Sequence, residues 1–529
     1  MNVRSSFGFD LVVGGALVAA LGACSGTSAL ADAAPRGGAE SAPSDPTSGG
    51  GSGGAAAPLP PEKEVESSYE VPVATKTFVW VANPRSGRVA YVNAASLEVK
   101  TVEAGNGPTH LAAVPGQSDA AIVLNVLSRD ATLLRAVNGQ VSGKSFKVGA
   151  VANTWAVSAD GRWAIAWADH RKVQNAPRTQ GFQDLAILDL TEKVPPVVLA
   201  VGYRPVSVAF SEGGAQAFAV TQDGISVVDL SGAGGPIVAK NVPISDTPIE
   251  DPGSRDVSVT PSGKLALIRR DGSSDVTAVN LETSVRTAIT LNGPVTDLDL
   301  SDTGHRAVAV IRDTATVAIL PVPQIAVAPT VFTEVKIPGE TVGSVALAAG
   351  GNTGLLYSNA IAAERVTVLS LLPTPPVFRT VKLYAPVLAV FLARDASHAL
   401  VLHDKVAGAA GAFSLVPVAS ALPARIVETK APPFAVAFSD AHDRAIVGER
   451  GATPDGYGAY LARLPQLTVD RFPLASPPTA VGLVAGAKRA YVAQQHPDGR
   501  ITFIDLDTGT SRTLTGFELG ARVVDGSKP

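Results

Sequence analysis

Short apolar runs, split by clusters of Gly, Asp, Pro, Ser and Asn, set the rhythm of this chain from about residue 77 onward. The stretch 480–513 shows it most clearly. Ala480 to Val484 stops at a Gly-Ala-Lys turn, and Ala490 to Ala493 stops at Pro497-Asp498-Gly499. Ile501 to Leu506 then reaches Asp507-Thr508-Gly509, after which a fourth run begins. Runs of this length and β-branched content, bounded by turn residues, are consecutive antiparallel strands. A four-stranded unit cannot bury both its faces alone, so it needs copies of itself beside it.

The copies are present. The second strand recurs as FVWVAN (78–83), AIVLN (121–125), AIAWAD (164–169), AFAVTQ (217–222), ALIRRD (266–271), AVAVIRD (307–313), LLYSN (355–359), ALVLHD (399–404), AIVGER (445–450) and AYVAQQ (490–495). From Ala121 onward the spacing runs from 41 to 53 residues with a mean near 46. A repeat of that length with four strands per copy predicts an all-β chain folded as a β-propeller of about ten units. Polar turns such as SADGR, TPSGK, SDTGH and SDAHD precede the second strands. The third strand is clearest in LAILDL, ISVVDL and ITFIDL. One ring is the favoured arrangement. Two smaller propellers, or fewer blades with a degenerate copy outside the ring, stay open. The first unit lacks an evident inner strand, and Gly520 to Gly526 reads as that strand, supplied from the C-terminus to remove two free edges.

Three segments follow: a signal peptide over 1–23, a tether over 24–75 and the propeller over 76–529. Arg4 precedes a 13-residue apolar run from Leu11 to Ala23. That is short of the roughly 20 residues a membrane span needs and suits a signal-peptide core. Leu21-Gly22-Ala23-Cys24 resembles the lipobox of bacterial lipoproteins. The resemblance implies cleavage before Cys24, a diacylglycerol on its thiol, a further acyl chain such as palmitate on the new N-terminus, and anchoring in the envelope. Ser25 after the cysteine implies the outer membrane, with the body periplasmic or surface-exposed. Several acyl chains, at about 0.8 kcal/mol per buried CH₂, hold a protein on a bilayer essentially permanently. Residues 25–75 are rich in Gly, Ala, Ser and Pro, a composition too poor in apolar surface to fold, with a reach of roughly 40 Å.

The phrases Val79-Trp80-Val81-Ala82-Asn83 and Tyr491-Val492-Ala493-Gln494 resemble the bacterial YVTN-type repeat family over about 77–522. That resemblance implies the propeller fold, and lactonase activity occurs among some relatives. No catalytic residue carries over by motif.

Composition narrows the partners. With 43 basic against 47 acidic residues, and no basic stripe, nucleic acid is a poor partner. Cys24 is the only cysteine and Met1 the only methionine. An internal disulfide, a cysteine-ligated metal and methionine ligation of haem or copper are thereby excluded. No catalytic motif and no cofactor site stands out. The seven histidines are spread over the repeats, with His305, His398 and His442 in turns. Asp505 and Asp507 suggest calcium, but Asp189 and Asp229 hold the former's place in other copies, which favours a turn role.

Candidate binding residues come from irregularity. The longer repeats carry insertions at 169–184 and 245–256 on one predicted face. Arg171, Lys172 and Arg178 on the first are complementary in charge to Asp246, Glu250 and Asp251 on the second, and the loops are either mobile or salt-bridged to each other, or form a lip around the channel mouth. Residues closing each second strand, namely Asn83, Asn125, Asp169, Arg270, Arg312, Asn359, Asp404, Arg450 and Gln495, form a polar ring there. The ring is either a binding surface or turn chemistry repeated with each blade. The expected function is an envelope-anchored binding or scaffolding module for a protein or polysaccharide. The alternatives are a hydrolytic, lactonase-like propeller and a purely structural envelope component.

Overall fold

A computed structural model describes residues 72–149, 151–173, 179–246, 254–403, 410–496 and 498–517. They form ten four-stranded antiparallel sheets, each a simple meander in chain order. The blades span 73–103, 108–147, 154–200, 205–243, 255–290, 297–336, 344–382, 387–429, 433–473 and 478–515. The second strands lie where the repeat places them.

What makes this one ring is where the apolar residues go. Each blade shares a buried cluster with the next. Blades 5 and 6 meet over Leu267, Ile289, Leu298 and Leu320, and blades 8 and 9 over Leu400, Phe413, Val447 and Tyr460. The series closes: Ala74, Val79 and Val92 of blade 1 pack against Val484, Tyr491 and Phe503 of blade 10. Tyr491 donates its hydroxyl to Pro72 O at 2.7 Å, and Arg489 Nη1 donates to Ala94 O at 2.6 Å across the same seam. Each blade thus covers both its sheet faces with neighbours, which a lone blade cannot do.

Local chemistry repeats with the blade. The turn between first and second strands opens on Ser158, Ser211, Thr260, Ser301 or Ser439, whose hydroxyl accepts the backbone N–H five residues on. Gly263 and Gly304 in these turns have φ of +70° and +67°. An added Cβ would lie 2.5 Å from Phe218 Cζ and 2.7 Å from Pro261 Cδ of the preceding blade. His442 takes the same left-handed position at φ 54°, and Lys488, one residue further along its own turn, is left-handed at φ 48°.

The first blade departs from the sequence expectation. Its innermost strand is Val73–Ala74, ahead of Thr77 and within the segment read as tether, with Val73 opposite Trp80 and Ala74 opposite Val79. Two residues behind a proline are too short a run to register as a strand in a pattern search. Residues 520–526 lie outside the described residues, as do Cys24 and the signal and tether segments before Pro72.

Candidate binding face

In each meander the loops joining second to third strands share a face with the connections between blades. In five blades the end of the second strand carries a polar side chain, buried except for the half-buried Arg270, that ties down this face. Asn125 Nδ2 donates to Thr132 Oγ1 at 2.9 Å, Gln494 Nε2 to Thr502 Oγ1 at 2.7 Å, and Arg270 Nη1 to Thr277 Oγ1 at 3.0 Å. His403 Nε2 lies 2.7 Å from Ser414 Oγ, and Tyr460 donates to Glu449 Oε2 at 2.9 Å. All five join the same diagonal pair of positions across the second and third strands.

Glu449 is the most heavily committed. It is fully buried, its Oε1 accepts from Arg471 Nε at 2.6 Å, and its Oε2 also accepts the Lys430 N–H at 2.9 Å. Burial, then the bond to Glu449, pushes the Tyr460 hydroxyl up to about 12. Sequence reasoning missed His403, Glu449 and Gln494 because it took Asp404, Arg450 and Gln495, one residue further along. In a strand of period two, one step exchanges the inward side for the outward one, as for Arg450 beside Glu449 and Gln495 beside Gln494. The available signal was the polar residue ending each apolar run at a constant distance from the following Ser, Tyr or Thr.

The predicted residues are placed as follows. Asp169 is buried and held bidentately by Arg171, Nε to Oδ1 at 2.9 Å and Nη2 to Oδ2 at 2.8 Å. Arg171 Nη2 also reaches Val206 O of the next blade at 3.0 Å. Lys172 Nζ donates to Thr154 Oγ1 at 3.3 Å. Asp246 pairs with Arg286, not with the other insertion. Arg178, Glu250, Asp251 and Asp404 lie outside the described residues. Asp246 and Arg270 come together in a cleft of about 540 Å³ lined also by Ser245, Thr277 and Arg286. Arg450 Nη2 donates to Gln495 Oε1 at 3.1 Å, linking blades 9 and 10. Arg312 is half-buried at the short turn after the second strand of blade 6. Asn83 Oδ1 accepts the Arg85 N–H at 3.0 Å, and Asn359 Nδ2 donates to Leu388 O at 3.0 Å. Asp505 Oδ1 accepts the N–H groups of Asp507 and Thr508 at 3.1 and 2.8 Å, and the Thr508 N–H foremost holds its carboxyl below the usual range. Among the described residues no cluster of three or more His, Cys, Asp or Glu is arranged to hold a metal.

A larger cavity, about 790 Å³, opens at the seam between blades 10 and 1. Val81, Ala82, Asn83, Gln495, Arg500 and Phe517 contribute to its wall.

Three histidines, His403 buried and His110 and His398 half-buried, predict an acid-sensitive ring. Burial, reinforced by the charge on Lys172, pushes His110 down to about 4, and burial also lowers His398 and His403. The unfolded chain, with ordinary histidines near 6.5, takes up protons first as the pH falls. Stability is therefore full above about pH 6.5 and is lost towards pH 4. Urea midpoints at pH 7.5 and 4.5 should differ, and His110→Asn should shrink the difference. An unchanged difference in that variant would contradict the assignment.

No protein-family model and no curated protein matches the chain. Several solved structures resemble it. Hydrazine synthase of Kuenenia stuttgartiensis shares 18% identity over 58% of this chain and 97% of its own, with a TM-score of 0.32. The dihydro-heme d1 dehydrogenase NirN shares 14% over 81% and 78%, at 0.45. A eukaryotic initiation factor shares 13% over 73% and 96%, at 0.49. At these identities and scores the likeness carries nothing over to this chain.

Proposed function

We propose that this protein is a lipid-anchored component of the bacterial envelope whose ten-bladed ring binds a protein or polysaccharide partner. The observation that carries the reading is the placement of the only cysteine, Cys24, directly after Leu-Gly-Ala and before some fifty residues rich in Gly, Ala, Ser and Pro. Three features support a binding role for the ring. Its blades are locked pairwise by ten shared cores, so it presents a rigid surface. Its buried charges are used internally, as in Asp256–Arg269 and Glu449–Arg471. The described ends of the two insertions, at Asp169 and Ser245, lie on the face that also carries Arg270, Arg450 and Gln495.

The binding claim is tested with immobilised full-length protein and two probes, detergent-solubilised envelope proteins and purified envelope polysaccharide. The comparison is a variant with 174–178 and 247–253 replaced by Gly-Ser sequence of equal length. Retention of one probe by the parent and its loss in the variant, at an unchanged melting temperature, is the expected result. Equal retention by both proteins would move the site off this face, and retention of neither probe would count against a binding role.

A further inference from the structure

Blade 5 turns three arginines towards blade 4, one each from its inner, second and outermost strands. Arg255 and Arg270 stand directly opposite each other across the first two of these strands. Arg255 Nη2 donates to Thr221 O at 2.7 Å and to Gln222 O at 3.0 Å, and Arg270 Nη2 donates to Ile244 O at 2.8 Å. Arg286 of the outermost strand pairs with Asp246, in the segment that leads out of blade 4. Like charges placed opposite each other on neighbouring strands are destabilising. The carbonyl oxygens of blade 4 and its exit offset part of that cost. A row of cations held in this way draws negative charge towards the open, outer end of the interface.

That outer end is the cleft of about 540 Å³, a volume within the roughly 300–1,000 Å³ of small-ligand sites. The guanidinium groups of Arg270 and Arg286 stand in it with the hydroxyl residues Thr277 and Ser284, and among the described residues only Ile244 and Ala288 give it apolar wall. Arg270 is held in place, because its Nη1 donates to Thr277 Oγ1 at 3.0 Å. Arg286 is held less firmly, since the side chain of its partner Asp246 is 92% exposed. An ion pair so open to water contributes little, and another carboxylate can take its place at small cost. A guanidinium receives a carboxylate through two parallel N–H···O bonds, which sets the orientation of the incoming group as well.

Resting on the binding role proposed above, we infer that this cleft is the subsite for an acidic sugar residue of a polysaccharide, whose carboxylate replaces Asp246 on Arg286 while its hydroxyls meet Thr277 and Ser284. The lining favours a sugar over an acidic peptide. Protein partners anchor through aromatic side chains and arginines packed into desolvated pockets, and the described wall of this cleft offers hydroxyls and guanidinium groups instead. A hydroxylated ring that carries one carboxylate matches both.

Calorimetry on the full chain with Cys24→Ser tests this with three probes: trigalacturonate, its methyl ester and triglutamate. Trigalacturonate should bind, and the ester should bind about tenfold more weakly, the loss expected for one charge-assisted hydrogen-bonded pair. Arg286→Gln should weaken the acid by a similar factor, leave the ester unaffected and keep the parent's melting temperature. Asp246→Asn should tighten the acid, because the competing carboxylate is gone. Equal affinity for acid and ester, an unchanged affinity in Arg286→Gln, or no binding of trigalacturonate would each overturn the inference. Preference for triglutamate would identify a peptide site and overturn it too. Failure of the subsite and failure of the binding role are told apart with immobilised protein and envelope polysaccharide. Equal retention by the parent and Arg286→Gln leaves the binding role standing and removes this subsite, whereas retention by neither removes both.

Discussion

Glu449→Ala should destabilise the ring by about 3–5 kcal/mol, the range for breaking a buried ion pair from one side. The carboxylate is fully buried and accepts from Arg471, Tyr460 and the Lys430 backbone. Its removal leaves the buried Tyr460 hydroxyl and the Lys430 N–H without their acceptor and the half-buried Arg471 without its carboxylate. Tyr460→Phe deletes one of these bonds and should cost about 1 kcal/mol. Arg450→Ala, one residue further along with a more exposed side chain, should cost about 1 kcal/mol or less. Urea denaturation followed by tryptophan fluorescence separates the three. Equal losses for Glu449→Ala and Arg450→Ala would contradict the inward placement of Glu449.

Trp80→Ala should have a similarly large effect for an apolar reason. The indole is 0% exposed, its ring lies 5.8 and 5.6 Å from those of Phe78 and Tyr91, and it packs on Ala121 and Val123 of blade 2. Its Nε1 donates to Thr75 Oγ1 at 3.0 Å, so the same side chain pins the strand that opens the ring. Large-to-small replacement at such a site costs about 3–5 kcal/mol. Trp80→Phe keeps most of the contacts and should lose less than half as much. If the two variants denatured at the same urea concentration, the cavity account of this site would fail.

The architecture was legible because the repeat states it ten times over. AIVLN, ALVLHD, AIVGER and AYVAQQ each announce a second strand, and all fall where the structure has one. Asp505 and the turn lysine Lys488 were also legible as repeat positions. The polar residues that do the tying were not. A pattern of short apolar runs gives a strand's existence more firmly than its last residue, and at Arg450 and Gln495 the residues singled out lie one position beyond the buried Glu449 and Gln494, as Asp404, outside the described residues, follows the buried His403 in sequence. Strand Val73–Ala74 was missed because two residues carry no periodicity. Of the charged residues on the two insertions, the described Arg171 closes on Asp169 two residues away, and Asp246 meets Arg286 of the blade it leads into, while Arg178, Glu250 and Asp251 lie outside the described residues. Side chains find such partners by proximity in the folded meander, which charge composition alone does not report.

The account rests most heavily on Cys24 as the point of attachment. Expression of the full chain and of Cys24→Ala in a Gram-negative host fed radiolabelled palmitate, followed by flotation of the membranes, addresses it directly. The account predicts label on the parent protein and its flotation with the outer membrane, and an unlabelled Cys24→Ala protein left in the soluble fraction. An unlabelled parent, or a variant that floats as the parent does, would contradict it.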